Sequence, residues 1–232
     1  MHTDKTTVGV VIPTLNEDKV IGANLAALAE DPDISAMVVV DGGSTDDTVA
    51  EVQALVRLHP HIKLCHAGAG RGVQMNAGAR ALSTDWIVFH HADSRLPPGA
   101  GRTIGELPAD VQWGGFSHQF DPGNWKLSFI SALHNFRCRR SGVVYGDQSM
   151  FVRRDFFADT GEFDEEDLED LKFSDRALTH APSRLLPQRV LTESRKFTTM
   201  GEFRALAHVI SIVLRYERQR GIGNEVFFRN YR

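Results

Sequence analysis

Short β-branched apolar runs alternate with helical patterns four times within the first ninety or so residues, and three of the runs end in small polar clusters. Val8 to Ile12, closed by Pro13, reads as a buried strand that leads into Thr14-Leu15-Asn16-Glu17. Val20, Leu25 and Leu28 then fall near one face of a helix. Met37 to Val40 reads as a second buried strand, ending at Asp41-Gly42-Gly43-Ser44. Thr45-Asp46-Asp47 supplies capping residues for a helix marked by Val49, Val52, Leu55 and Val56. Ile62 to Leu64 reads as a third strand and Gln74 to Leu82 as a helix. Trp86 to Phe89 is a fourth strand, running into His90-His91-Ala92-Asp93. This alternation calls for an α/β fold with a mainly parallel sheet and right-handed crossovers. Such sheets bind ligands beyond the carboxyl ends of their strands, where the polar clusters lie.

The second half follows another pattern. Trp113 to Phe120 and Met150 to Val152 read as strands, and Trp125 to Arg137 and Leu171 to Leu178 as helices. With no repeat or low-complexity linker, the 232 residues read as a single domain. Within it, the chain is expected to divide into residues 1–97, residues 98–200 and a C-terminal helical tail, 201–232. A net charge of -4 argues against a nucleic-acid partner. Cys65 and Cys138 fit neither a disulfide framework nor a CxxC metal site, so free thiols in a reducing, cytoplasmic compartment are expected. No leader-like start and no run near the roughly 18 apolar residues of a membrane span is visible, which reads as a soluble protein or one peripheral to a membrane.

The acidic stretch Asp155 to Asp170 and the basic, aromatic end from Arg195 have a plain reading as solvated surface. Phe203 to Arg220 carries Phe203, Leu206, Val209, Ile210, Val213 and Leu214 among arginines. Such a segment packs on its own domain or on a second subunit of a homodimer. The alternative, with Phe227, Phe228 and Tyr231, is peripheral docking at the inner face of the membrane to admit a lipid-linked acceptor.

Taken singly, the strand-end motifs are ambiguous. Asp41 could accept hydrogen bonds from a base or ribose, and Gly42 and Gly43 allow close backbone approach, yet Asp-Gly-Gly-Ser is equally a turn and helix cap. No GxxxxGK[ST] occurs, and Gly68-Ala69-Gly70-Arg71-Gly72 is a weak dinucleotide fingerprint. Asp93 suits a hard divalent cation held against a diphosphate. Its neighbour two residues earlier is His91 rather than a second acid, and Asp93-Ser94 alone is equally a turn former.

Taken together, the motifs are far more specific. Val11-Ile12-Pro13-Thr14-Leu15-Asn16-Glu17 and Val38 to Thr48 resemble the opening of family 2 glycosyltransferases. Gly70-Arg71-Gly72-Val73-Gln74-Met75-Asn76-Ala77-Gly78-Ala79 and His91-Ala92-Asp93-Ser94-Arg95-Leu96-Pro97 continue the likeness in order. Gly146-Asp147-Gln148 and Leu168-Glu169-Asp170 complete it, over residues 7 to about 200. The pattern is similar to a small bacterial subgroup with "GRxxQMNxGA" and with "HAD" in place of "DxD".

That resemblance implies a GT-A fold, a Rossmann-like mainly parallel sheet flanked by helices, with an acceptor-side portion towards the C-terminus. It implies an inverting, metal-assisted transfer of one sugar from a nucleoside-diphosphate sugar, a UDP-sugar favoured, to an unidentified hydroxyl. By the same likeness, Pro13, Thr14, Asn16, Glu17, Asp41, Gly43, Ser44, Arg71, Asn76 and Asp93 contact or shape the nucleotide site. Asp93, alone or with His91, would hold Mn²⁺ or Mg²⁺, the histidine favouring Mn²⁺. Asp170 matches the general base, with Glu169 assisting, although acids at a helix start also have a purely local role. Tyr145, Gly146, Asp147 and Gln148 are expected to line the acceptor or donor-sugar side, a structural turn being the competing account. Arg195 and Lys196 fall where a loop would meet the diphosphate, and the lack of "QxxRW" argues for transfer of a single sugar. The other readings are a sugar-phosphate nucleotidyltransferase and a non-catalytic nucleotide-sugar binding protein.

Overall fold

A computed structural model describes residues 6–166 and 168–194. The expectations placed on Arg195, Lys196, Phe203 to Arg220 and the aromatic residues near the C-terminus lie outside the described residues. In chain order the elements are β1 (Val8–Thr14), α1 (Ile21–Ala29), β2 (Ala36–Asp41), α2 (Thr48–Leu58), β3 (Ile62–His66) and α3 (Arg71–Arg80). Then come β4 (Trp86–Phe89), β5 (Ser94–Arg95), α4 (Ala100–Gly105), β6 (Trp113–Asp121) and α5 (Trp125–Ser141). A 3-10 turn (Gly146–Gln148), β7 (Phe151–Arg153), α6 (Arg154–Thr160), α7 (Glu169–Leu178) and β8 (Arg184–Glu193) follow.

The strands form one sheet in the order β3-β2-β1-β4-β7-β6-β8-β5. As expected from the alternation, β1 to β4 run parallel. Beyond β4 the sheet turns mixed, because β7 is antiparallel to both β4 and β6. Both faces are covered, which is why the central strands are almost continuously apolar. Val10, Ile12, Met37 and Val39 join α1 residues Ile21 and Leu25 and α2 residue Val52 on one face. Val11, Val38 and Val40 join Met75 and Ala79 of α3, Phe157 of α6 and Phe173 of α7 on the other.

Several boundaries differ from the sequence expectation for local reasons. Pro13 does not close β1, which runs on to Thr14. The β4 side of β1 is bonded at Val11, whose carbonyl accepts from His90 N, and β4 itself ends at Phe89. The missing N–H of Pro13 therefore costs no ladder bond. α3 starts at Arg71, ahead of Gln74, α5 continues to Ser141, and α7 begins at Glu169, so both candidate catalytic acids sit in its first turn. β3 extends to His66, and β7 is shifted by one residue. The sequence did not suggest β8, because Pro187 interrupts it. The β6–β8 register jumps from Phe116↔Leu186 to Ser117↔Arg189, which carries the proline past the ladder as a bulge. Among the described residues, no helix is long and apolar enough to cross a membrane.

Candidate active site

The carboxyl ends of β1, β2 and β4 deliver the expected clusters to one edge of the sheet, and side chains lash them together. Asn16 adopts a left-handed backbone (φ 55°), and its N–H donates to Ser44 Oγ at 2.9 Å. Its Oδ1 accepts from Thr45 N at 2.9 Å, so the loops after β1 and β2 are clasped from both sides. Glu17 N donates to Thr48 Oγ1 at 2.8 Å. Below them, Gln74 Nε2 donates to the carbonyls of Thr14 and Val40, each at 2.8 Å, tying α3 to both strand ends.

Asp41 is buried where β2 ends. Its carboxylate accepts from Gly43 N at 2.9 Å and Ser44 N at 3.2 Å. Burial would raise its pKa, but the Ser44 and Gly43 donors outweigh that and hold it below the usual carboxylate range. His66, which the sequence did not single out, stands 3.5 Å away with its Nδ1 towards Asp41 Oδ2. Asp41 thus both organises the turn and keeps a charged group at the strand end.

Arg71 and Glu169 come from opposite halves of the sequence and meet with Nη1 3.5 Å from Oε1. The approach depends on Gly72, where an added Cβ would lie 2.0 Å from the Asp164 carbonyl oxygen. The loop before α7 is fixed by Arg176, which donates to Asp164 Oδ2 and to the Glu162 carbonyl. Asn76, expected to contact or shape the nucleotide site, has its amide engaged by the backbone of the loop before α7. It is buried, with Nδ2 donating to Phe163 O at 2.9 Å and Oδ1 accepting from Phe163 N at 3.0 Å, so it shapes this same loop.

The catalytic candidates converge on Gly146. Asp170 Oδ2 accepts from Gly146 N at 2.7 Å, and Oδ1 accepts from Leu171 N at 2.8 Å. Burial raises the Asp170 pKa above its ordinary value against the opposing pull of the Gly146 N–H and Arg71. A Cβ on Gly146 would lie 2.8 Å from His91 Nε2 and 3.5 Å from Asp170 Oδ2, so imidazole and carboxylate flank one small residue. His91 Nε2 is buried with no hydrogen-bond partner among the described residues. Burial, reinforced by Arg71, lowers its pKa to about 4, so the ring is neutral at pH 7. The adjacent His90 is structural: Nδ1 is 2.7 Å from Ser149 Oγ and Nε2 2.9 Å from Ser94 O. Asp93 Oδ1 accepts from Ser94 Oγ at 3.4 Å.

The 3-10 turn continues the wall. Asp147 Oδ1 is 3.4 Å from His134 Nε2, and its Oδ2 is 3.9 Å from His118 Nε2. Burial opposes charge on all three groups. Even so, the Asp147 carboxylate pushes His134 up to about 10, and the two imidazoles hold Asp147 below the usual carboxylate range. His118 is lowered, chiefly by burial. Arg137 stacks on the Tyr145 ring at 4.6 Å, and Gln148 Oε1 accepts from Tyr145 N at 3.0 Å. His118 and His134 were missed because they lie on β6 and α5, where a lone histidine carries no spacing signal. The arrangement brings together the half-exposed cation Arg71, a carboxylate of raised proton affinity at Asp170 and the polar groups of Tyr145 to Gln148.

Comparison with known proteins gives consistent findings. The family model "Glycosyl transferase family 2" matches residues 9–156. The uncharacterized glycosyltransferase YibD of Escherichia coli K12 is 29% identical over 69 residues, covering 29% of this chain and 20% of YibD. The PGL/p-HBAD biosynthesis glycosyltransferase Rv2957 of Mycobacterium tuberculosis H37Rv is 28% identical over 164 residues, covering 66% of this chain. The chain matches 62% of that protein's length. Among solved structures, Pyrobaculum calidifontis mannosyltransferase PcManGT with GDP-Man and Mn²⁺ superposes with a TM-score of 0.62 at 19% identity, over 79% of this chain and 56% of its own. S. aureus TarS 1–349 with UDP gives a TM-score of 0.65 at 17% identity, over 95% of this chain and 68% of its own. At these identities the structures establish the fold.

Proposed function

Because this chain belongs to glycosyl transferase family 2, we propose that it moves one sugar from a nucleoside-diphosphate sugar to an acceptor hydroxyl, inverting the anomeric carbon. The observation that carries this reading is Asp170, a half-buried carboxylate of raised proton affinity that flanks Gly146 together with His91. A base must hold a proton better than an ordinary carboxylate to assist a weakly acidic hydroxyl. Asp170 takes that proton as the oxygen attacks the anomeric carbon, and the bond from that carbon to the diphosphate oxygen breaks on the opposite face. Each Asp170 oxygen already accepts one backbone N–H, which fixes its direction and leaves a lone pair for the acceptor.

Arg71 stands where the departing diphosphate gathers charge, and Glu169 holds it there. The clasped loops of Asn16, Asp41 and Ser44 shape the nucleoside pocket, with UDP the favoured nucleotide. The solved TarS and PcManGT complexes contain UDP-GlcNAc and GDP-Man, so a nucleoside diphosphate is their common chemistry.

The donor set fits a divalent cation only as an incomplete cage. No group of three or more His, Cys, Asp or Glu able to hold a metal occurs among the described residues. Asp93 would hold Mn²⁺ or Mg²⁺, alone or with His91, which is neutral and has a buried unbonded Nε2. With one or two protein donors, the remaining positions would be left to diphosphate oxygens and water. When bound, the cation offsets the charge that builds on the leaving diphosphate.

Asp170→Asn tests the assignment. Sugar transfer should fall by at least about a hundredfold, with the thermal shift produced by the nucleotide retained. Undiminished turnover would remove Asp170 from the mechanism, and release of pyrophosphate in place of a nucleoside diphosphate would identify nucleotidyl transfer.

A further inference from the structure

Helix α5 buries one face against the domain and exposes an apolar stripe on the opposite one. Leu127, Ser131, Asn135 and Cys138 are buried against the domain, and Asn135 grips the backbone of His118 on β6. On the other side Trp125, Phe129, Leu133 and Phe136 are 75%, 62%, 45% and 63% exposed. At about 100° per residue these four fall within an arc of about 80°, a stripe about 16 Å long. Single exposed apolar residues are ordinary, but a contiguous stripe of three aromatic residues and a leucine marks an interaction surface.

The charges around the stripe indicate its partner. α5 contains Lys126, Arg137, Arg139 and Arg140 and no acidic residue, in a chain whose net charge is -4. Arg137 is committed to the Tyr145 ring. Lys126 lies beside Trp125, with Nζ 5.9 Å from the ring centroid, and Arg139 and Arg140 are exposed at the C-terminal end. Asp121, the acid nearest the N-terminal end in sequence, is paired with Arg95. Aromatic residues on a helical face with lysine and arginine along its edges match the interface of an anionic bilayer, where rings sit at headgroup depth and cations meet phosphates.

We propose that α5 docks this protein on an anionic membrane, with Trp125, Phe129, Leu133 and Phe136 entering the headgroup region. The same helix carries His134, which faces Asp147 in the candidate acceptor wall. Docking therefore sets that wall close to the bilayer surface. The interaction itself does not depend on the transferase reading, so its test needs no activity.

Trp86 and Trp113 are 0% exposed, which makes Trp125 a selective fluorescent reporter in the full chain. The expected result is co-sedimentation with vesicles of phosphatidylglycerol and phosphatidylcholine, but not with phosphatidylcholine alone. It comes with blue-shifted emission, shielding of Trp125 from acrylamide, and release at high salt. The double variant Phe129→Ser/Phe136→Ser changes only exposed side chains, so it should keep its melting temperature and bind at least about tenfold more weakly. No vesicle binding, or equal binding to neutral vesicles, would overturn the proposal. So would undiminished binding of the double variant, which would assign the contact to another segment. Trp125 already shielded in the free protein would also overturn it. Shielding independent of concentration would mean that the chain's own residues 195–232 cover the stripe, and shielding that grows with concentration would mean a second copy.

Discussion

At Gly146 the crowding that a side chain would meet comes from neighbouring side chains rather than from backbone conformation. A methyl group there would press on His91 Nε2 at 2.8 Å and stand 3.5 Å from Asp170 Oδ2. Gly146→Ala is expected to lower kcat at least about tenfold, because small displacements of reacting groups are costly. A kcat equal to that of the parent would show that His91 and Asp170 need not be held at this spacing. The Asp147–His134 contact gives a second residue-level prediction. His134 has a folded pKa of about 10, so the pairing contributes its full stability below the unfolded histidine value near 6.5 and loses it as pH rises through about 10. Asp147 is depressed, so its share is complete above the ordinary aspartate pKa and is lost as pH falls into the acid range. The His134 ring should accordingly show no NMR titration between about pH 5 and 8, and Asp147→Asn should restore one.

Among elements, α3 does most to join the two halves of the site. Its first residue, Arg71, reaches Glu169, Gln74 anchors it under β1 and β2, and Asn76 holds the loop before α7. Gln74→Ala removes two buried hydrogen bonds. The Thr14 carbonyl keeps a bond from Gly42 N and the Val40 carbonyl a longer one from Thr14 Oγ1, which limits the loss. The expected cost is about 1–2 kcal/mol, a drop of roughly 4 °C in melting temperature for a domain of this size. Nucleotide affinity should weaken with it, since the strand-end loops lose their common anchor. An unchanged melting temperature would show that the clasp between Asn16 and Ser44 suffices.

At the scale of the molecule, one sheet carries a parallel half that presents the loops of Asn16, Asp41 and Ser44 and a mixed half next to Tyr145 to Gln148 and the start of α7. A ligand that bridges the halves should stabilise the whole. At about 100 times its dissociation constant a nucleoside diphosphate adds roughly 2.7 kcal/mol, or about 5–10 °C in melting temperature. Among UDP, GDP, CDP and dTDP, UDP should give the largest shift with Mn²⁺ or Mg²⁺, and EDTA or Asp93→Ala should reduce it. Equal shifts with and without metal would remove the cation from donor binding.

The sequence by itself determined the local period and its punctuation. Alternating β-branched runs and 3.6-residue patterns dictated parallel strands and covering helices, and the ordered motifs placed Asn16, Asp41, Asp93 and Asp170 at element ends. Those signals are readable because periodicity and turn chemistry act between near neighbours in the chain. Only the tertiary structure decided which distant groups meet: Arg71 with Glu169, His91 with Asp170 across Gly146, and Asp147 with His134 and His118. The motif that carries Asn76 gives it the same standing as Arg71, yet packing buries it and commits its amide to Phe163. β8 stayed hidden because its proline breaks the local pattern, and long-range pairing with β6 makes good what local preference lacks. Contacts between remote residues depend on how the sheet folds back on itself, and no single stretch of sequence contains that geometry.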